Sequence, residues 1–326
     1  MDRTFPPLIR CLLLWLLTGC DAEVEAPAPR AVANIIEVNR EFNEARAETL
    51  SHLQREATDL RAAIELFLDE PQENTLTAAR EQWRRAHRAI AAHRYFLDPE
   101  MRDRLDAWPI QPGFLDSIPG YPDSGIINDE TIEITMSEVI HQHGITDASE
   151  ASLGFHPLEF LLFGREPDDY VVGEKASDRR RQLLSLTALA LTTDIRALAN
   201  RPDDGEASAD AVVSGLEHHL DRLASNLGAL RAEATSVTTG GHAALSDEDE
   251  NALYEGIEVL RKLTGPDSAM ADAMASINAQ VADNYQQTLV IASTRQEVTD
   301  RETAALLPLI ALRHQVDDLI RTMNAP

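Results

Sequence analysis

Residues 35–67 read IIEVNREFNEARAETLSHLQREATDLRAAIELF, and this stretch decides the fold class. Apolar or small side chains return every three or four positions along it, which is the period of an amphipathic α-helix. The pattern predicts one long helix that ends before Pro71, because proline disrupts a helix interior. The positions in register are Ile35, Val38, Phe42, Ala45, Thr49, Leu53, Ala57, Leu60, Ile64 and Phe67.

The same helical period recurs through the rest of the chain. Asn74 has the chemistry of a helix cap, and we expect it to open the second helix. No run of alternating β-branched residues bounded by turns occurs, so we predict no sheet. The predicted helices after the first cover residues 75–97, 130–143, 154–164, 177–200, 207–234, 247–263, 267–297 and 302–323.

The polar stretch NRPDDG at residues 200–205 is the best candidate for a domain boundary, because it is rich in turn-forming residues. It divides the chain into an N-terminal helical bundle, residues 34–202, and a C-terminal helical bundle, residues 203–326. The predicted fold is therefore all-α, with two helical-bundle halves. Residues 98–128, with five prolines and three glycines, interrupt the helical pattern. Ordered irregular segments of this length often carry function.

The first residues indicate export. Residues 1–19 contain two arginines ahead of a short apolar run, which is typical of a signal peptide and too short to span a bilayer. The run ends in Leu-Thr-Gly-Cys, which looks like a bacterial lipobox with Cys20 as the lipidated residue. Residues 20–33 then form a tether. We expect a lipid anchor on the periplasmic side of a bacterial membrane, inner or outer, with an ordinary signal peptide as the alternative.

The overall charge excludes one class of partner. The chain carries 55 acidic and 29 basic residues, for a formal net charge of −26. Nucleic-acid backbones are bound by clustered basic residues on a net basic surface. A nucleic-acid partner is therefore not expected.

The stretch GFHPLEFLLFG at residues 154–164 places Glu159 among large apolar residues. A buried carboxylate is costly unless it has a partner. His156 lies three positions earlier, so on a helix both side chains share a face and could hold one metal ion. The spacing alone is weak evidence, because two other histidines in the chain also have an acidic residue at +3. An ion pair between Glu159 and Arg84 or Arg88 is the alternative.

The stretch Gly154–Glu159 fits the GxHxxE motif of the imelysin family, a family of exported bacterial proteins. Residues 81–84 (EQWR) and 107–116 (AWPIQPGFLD) also resemble family segments, in the same order. The resemblance implies an all-helical fold, a periplasmic or membrane-tethered location and a metal-linked role, as in components of bacterial iron uptake. It also implies that His156 and Glu159 are metal ligands, with iron as the expected metal and zinc as a possibility.

Two ligands do not complete a metal site, so further ligands are needed. Asp116 is the preferred third ligand because it lies within a family-like segment, and its alternative role is to cap a turn. His87 and His93 are lesser candidates. Arg84 and Arg88 are expected to lie next to the ligands without binding the metal themselves.

Three functions follow from these residues. The first is a lipid-anchored metal-binding protein that serves metal uptake. The second is a metallopeptidase, although no H-E-x-x-H motif occurs in the chain, so we favour binding over catalysis. The third is a module that binds an anionic polymer or peptide through the stripe Arg80, Arg84 and Arg88, for which a solvated helix face is the alternative.

Overall fold

The computed structural model describes residues 29–200, 245–246, 248–264, 267 and 269. These residues form helices and no strand, with an isolated bridge between Ile118 and Tyr121. The all-α prediction is confirmed. Short 3₁₀ helices, Arg94–Phe96 and Pro167–Tyr170, follow the second and sixth α-helices. The α-helices are α1 (Pro29–Asp69), α2 (Glu73–His93), α3 (Pro99–Leu105), α4 (Pro112–Leu115), α5 (Met136–Gln142), α6 (Phe155–Phe163), α7 (Lys175–Leu198) and α8 (Asp249–Thr264).

The predicted first helix is present as α1, and it ends at Asp69, just before Pro71. Its apolar face is buried against α2 and α7. The expected stripe is therefore the core face of the helix. The buried members are Phe42, Ala45, Leu53, Ala57, Leu60, Ile64 and Phe67.

The second helix begins earlier than predicted. Gln72, and not Asn74, is the residue that precedes the helix, and its backbone N–H donates to the hydroxyl of Thr75 at 3.2 Å. The α-helix ends at His93 and continues into the 3₁₀ turn Arg94–Phe96. The other predicted helices in the first 200 residues are present with shifted ends. The helix predicted over 130–143 begins only at Met136, after the N-cap residue Thr135.

Helix α6, which carries the GxHxxE motif, packs against α2 and α7. The indole N–H of Trp83, in the middle of α2, donates to the backbone carbonyl of Phe155 at 2.9 Å. Arg80 donates to the carbonyls of Leu162 and Arg165 at 2.8 and 2.9 Å. These bonds hold both ends of α6, and they show that Arg80 is not part of a solvated face.

Arginines of α7 order the irregular segment 98–128. The guanidinium of Arg179 donates to four backbone carbonyls, those of Ile126, Ile127, Asp129 and Ile132. Arg180 forms a two-point ion pair with the buried carboxylate of Asp116, at 2.5 and 3.2 Å. The segment is therefore built into the fold through cation–carbonyl and cation–carboxylate contacts.

In the C-terminal half, the described residues include α8, which lies where a helix was predicted over 247–263 and packs against α2 and α1. The helices predicted over 207–234 and 302–323, the boundary at 203, and all but residues 267 and 269 of the helix predicted over 267–297 lie outside the described residues. The division into two bundles stays a prediction. Within the described residues, no helix has the length and apolar character needed to cross a membrane.

Gly154 allows the start of α6 to approach the end of α3. Its φ is +97°, a conformation that residues with a side chain rarely adopt. A Cβ atom at this position would lie 2.5 Å from the backbone oxygen of Leu105. Since Asp106 follows Leu105 directly, the first glycine of the motif brings Asp106 close to His156.

We expect Gly154→Ala to lower the free energy of unfolding by at least about 3 kcal/mol, because backbone strain and a steric clash add together. Gly120 is the matched control: its φ is +89°, but an added Cβ would meet no atom within 4 Å. Gly120→Ala should therefore cost only about 1–2 kcal/mol. Urea unfolding of both variants measures the difference, and equal losses would contradict the proposed close packing.

Candidate metal centre

His156 lies between two carboxylates and is completely buried. Its Nδ1 is 2.9 Å from Oε2 of Glu159, and its Nε2 is 3.2 Å from Oδ1 of Asp106. Glu159 comes from the same helix, three residues on, whereas Asp106 lies at the C-terminal end of α3. The two carboxylates therefore contact opposite sides of the imidazole.

His87 completes a compact group on the Asp106 side. Its Nε2 is 3.8 Å from Oδ1 of Asp106, and ligand atoms of His87, Asp106 and His156 all lie within 4.8 Å of one another. All three residues are at most 2% exposed. The ring of His87 is stacked on Trp83, with 4.6 Å between centroids, which fixes its orientation. Each member of this group thus comes from a different helix or helix end.

Glu159 contacts His156 on the side away from the other two residues. That Glu159 and His156 share one metal ion stays a prediction; Oε2 of Glu159 contacts Nδ1 of His156, while Asp106 and His87 lie toward Nε2. Its other oxygen, Oε1, accepts the backbone N–H of Ser246 at 2.9 Å. A carboxylate that binds the far nitrogen of a histidine ligand fixes the tautomer and orientation of the ring. This geometry suits Glu159 to that supporting role.

Arg84 and Arg88 do not form the predicted alternative ion pair with Glu159. Arg88 binds both oxygens of Glu248, at 2.8 and 3.1 Å, and Arg84 donates to the carbonyl of Ser246 at 3.1 Å. Both arginines therefore contact the segment before α8, and Ser246 of that segment contacts Glu159. Because these guanidinium groups are engaged within the protein, the geometry does not favour an anionic-polymer site on this stripe.

Asp116, the predicted third ligand, does not belong to the group around His156. Its buried carboxylate is bound by Arg180 and by Nε of Arg165, at 3.1 Å in the second case. Asp116 also accepts the backbone N–H of Ser117 at 2.7 Å. Two guanidinium groups compete with any cation for these oxygens. The structure therefore places Asp106, and not Asp116, beside His156.

Burial lowers the pKa of a histidine and nearby carboxylates raise it, and the balance between the two effects differs between His87 and His156. Burial lowers the pKa of His87 to about 4, so this ring is neutral at pH 7. Burial also acts to lower the pKa of His156, but hydrogen bonds to Asp106 and Glu159 outweigh it and raise the pKa to about 9. Burial acts to raise the pKa of Glu159, yet its hydrogen bond with His156 leaves this pKa below the usual value. Without a metal, His156 is therefore a buried imidazolium between two carboxylates.

The donor set of His87, Asp106 and His156 fits a divalent transition metal. Imidazole nitrogens and carboxylate oxygens are the usual ligands of zinc and iron(II). Ligand atoms at about 2.0–2.1 Å from one tetrahedral ion lie about 3.3 Å apart. The distances of 3.2 and 3.8 Å from Asp106 to the two imidazoles are close to this spacing. The ligand nitrogens of His87 and His156 lie within 4.8 Å of each other, so the two rings would approach for all three residues to reach one ion.

Comparisons with known proteins agree with the fold. The imelysin family profile matches residues 47–319. A solved imelysin-like protein from Psychrobacter arcticum 273-4 is similar in structure, with a TM-score of 0.62 at 16% sequence identity, over 93% of this chain and 96% of that one. At this identity the similarity shows the shared fold alone. A comparison with curated proteins found no match.

The opposite pKa shifts of His156 and His87 predict that the two rings titrate far apart in the metal-free protein. We expect the imidazole resonances of His156 to titrate near pH 9 and those of His87 near pH 4. Between these values His156 carries the proton and His87 is neutral. Histidine NMR checks this, with His156→Gln and His87→Gln variants for assignment. Titration of both rings near their ordinary pKa of about 6.5 would contradict the placement of His156 between two carboxylates.

Proposed function

The chain belongs to the imelysin family, and we propose that it binds one divalent metal ion through His87, Asp106 and His156. The observation that carries this proposal is the convergence of two imidazoles and a carboxylate within 4.8 Å in a fully buried group. Buried ionisable groups are costly, so such a group is rare without a function. Glu159 supports the site by holding Nδ1 of His156, which leaves Nε2 for the ion.

We propose binding and not peptide hydrolysis. The three candidate ligands are at most 2% exposed, so an ion can be enclosed there, whereas a peptide bond needs an open approach. Within the described residues, Glu159, beside the group, is engaged by His156 and Ser246. Asp106, itself a proposed ligand, is engaged by His156 and Arg94. A general base for water would have to be released from such contacts.

The proposed biological role is uptake of the ion on the periplasmic side of a bacterial membrane. The sequence features that support it are the export signal in residues 1–19 and the lipobox-like Cys20. A lipid on Cys20 would keep the protein on the periplasmic side of a membrane, where it would deliver metal to uptake components. Iron is the proposed cargo and zinc the competitor, because both accept mixed nitrogen and oxygen ligands.

We expect the purified domain, residues 21–326, to hold close to one equivalent of a divalent metal after incubation with iron(II) or zinc. His156→Gln and Asp106→Asn should each weaken binding by more than about a hundredfold, because loss of a ligand should exceed the effect of losing an outer contact, which is about 10–100-fold. Elemental analysis and titration calorimetry measure both effects. At pH 7 uptake should also release about one proton, since the ion replaces the proton on His156.

Asp116→Asn is the informative control for this experiment. It should lower stability, because it breaks a buried ion pair with Arg180, but it should leave metal affinity unchanged. Loss of metal in Asp116→Asn but not in Asp106→Asn would overturn the ligand assignment. Absence of metal from the wild type would overturn the proposal, and chelator-sensitive cleavage of a protein substrate would show peptidase activity instead.

The anchor is tested separately in cells. We expect the full chain to sediment with membranes and to incorporate labelled fatty acid, since thioether-linked lipid on Cys20 would hold it there. Cys20→Ser should abolish the label and release the protein into the soluble fraction. Labelling that persists in Cys20→Ser would contradict lipidation at this residue.

A further inference from the structure

We infer that Glu248 is a positioning residue for the metal centre and acts on His156 through Ser246 and Glu159. This inference rests on the proposed function, because it states which remote residue sets the strength of that site. Glu248 lies just before α8, far along the chain from the ligands. It is 3% exposed, although it carries a charge.

The first link is the ion pair between Glu248 and α2. Both oxygens of Glu248 contact Arg88, at 2.8 and 3.1 Å, which is the strong two-point form of this pair. Arg84 lies one turn earlier, with its Nε 3.7 Å from Oε1 of Glu248. Glu248 also begins α8 by accepting the backbone N–H of Ala252 at 2.9 Å. The residue therefore fixes the start of α8 against α2.

The second link joins this anchored segment to Glu159. Arg84 donates to the carbonyl of Ser246, and the N–H of the same residue donates to Oε1 of Glu159 at 2.9 Å. The Arg84 guanidinium also lies 5.0 Å from the ring centroid of Phe163, on the helix of Glu159. Ser246 is thus held from one side by Arg84 and directs its N–H at the carboxylate from the other.

The third link joins Glu159 to His156, the proposed metal ligand. Oε2 of Glu159 is 2.9 Å from Nδ1 of His156, whose Nε2 is directed at Asp106. If Ser246 moves, Glu159 loses a hydrogen bond that holds its carboxylate in this orientation. The ring of His156 then loses the partner that aligns it. Outer contacts of this kind commonly change metal affinity by 10–100-fold.

The test compares two carboxylates that both contact Arg84. Glu248→Gln keeps the shape of the side chain and removes its charge, and it should weaken zinc binding by about tenfold. Glu81 is the matched control: it pairs with Arg84 on the exposed side of α2 and has no contact with Ser246 among the described residues. Glu81→Gln should change zinc affinity by less than about twofold. Competition with a chromophoric chelator measures both affinities.

A double-mutant cycle separates positioning from general loss of stability. In a Glu159→Gln background, Glu248→Gln should change zinc affinity by less than about twofold, because the path through Glu159 is already broken. A purely structural role would weaken binding by the same factor in both backgrounds. That result, or wild-type affinity in Glu248→Gln itself, would overturn the inference.

A metal-free readout keeps the inference distinct from the proposed function. The Nδ1 proton of His156, bonded to Glu159, should shift in the NMR spectrum of Glu248→Gln and remain unshifted in Glu81→Gln. If the wild type binds no zinc but this shift occurs, the proposed function fails and the positioning path stands. If zinc binds but neither the shift nor the tenfold loss occurs, the positioning inference fails alone.

Discussion

The centre of this protein depends on one constraint: two carboxylates and an imidazole are buried together and must satisfy one another. Asp106 and Glu159 contact opposite nitrogens of His156, at 3.2 and 2.9 Å. A buried charge without a partner would cost several kcal/mol, so each carboxylate requires the ring to stay between them. A proton on His156 offsets one of the two carboxylate charges, and Arg94, 3.4 Å from Asp106, offsets the other. In the proposed metal-bound state, the ion takes the place of that proton.

The surrounding helices are arranged to hold this group. Gly154 lets the start of α6 reach the end of α3, which brings Asp106 to His156. Trp83 of α2 binds the backbone of Phe155 and stacks on His87. The segment before α8 supplies the N–H that holds Glu159. Elements far apart in the sequence therefore supply the contacts that stabilise the polar groups in the core.

Features that depend on neighbouring residues in the chain could be predicted from the sequence. The apolar period of residues 35–67 predicted α1 and its buried face, and the apolar setting of Glu159 identified the motif as unusual. The group around His156 could be found only in part. His87 is a lesser candidate in the sequence, with nothing local to prefer it over His93, and Asp106 at a helix end has no local sign that it lies beside His156. Asp116 lies in a family-like segment, but its charge is taken by Arg180 of a distant helix. Such pairings depend on tertiary packing, which no local pattern records.

In the proposed complex, an ion lies between His87, Asp106 and His156, with Glu159 behind the ring of His156. The most direct measurement is anomalous X-ray scattering from crystals soaked in zinc or iron(II). We expect one strong peak within bonding distance of Asp106 and of a ring nitrogen of both His87 and His156, and no peak at Asp116. A peak coordinated by Nδ1 of His156 together with Glu159, or no peak at this centre, would contradict the account.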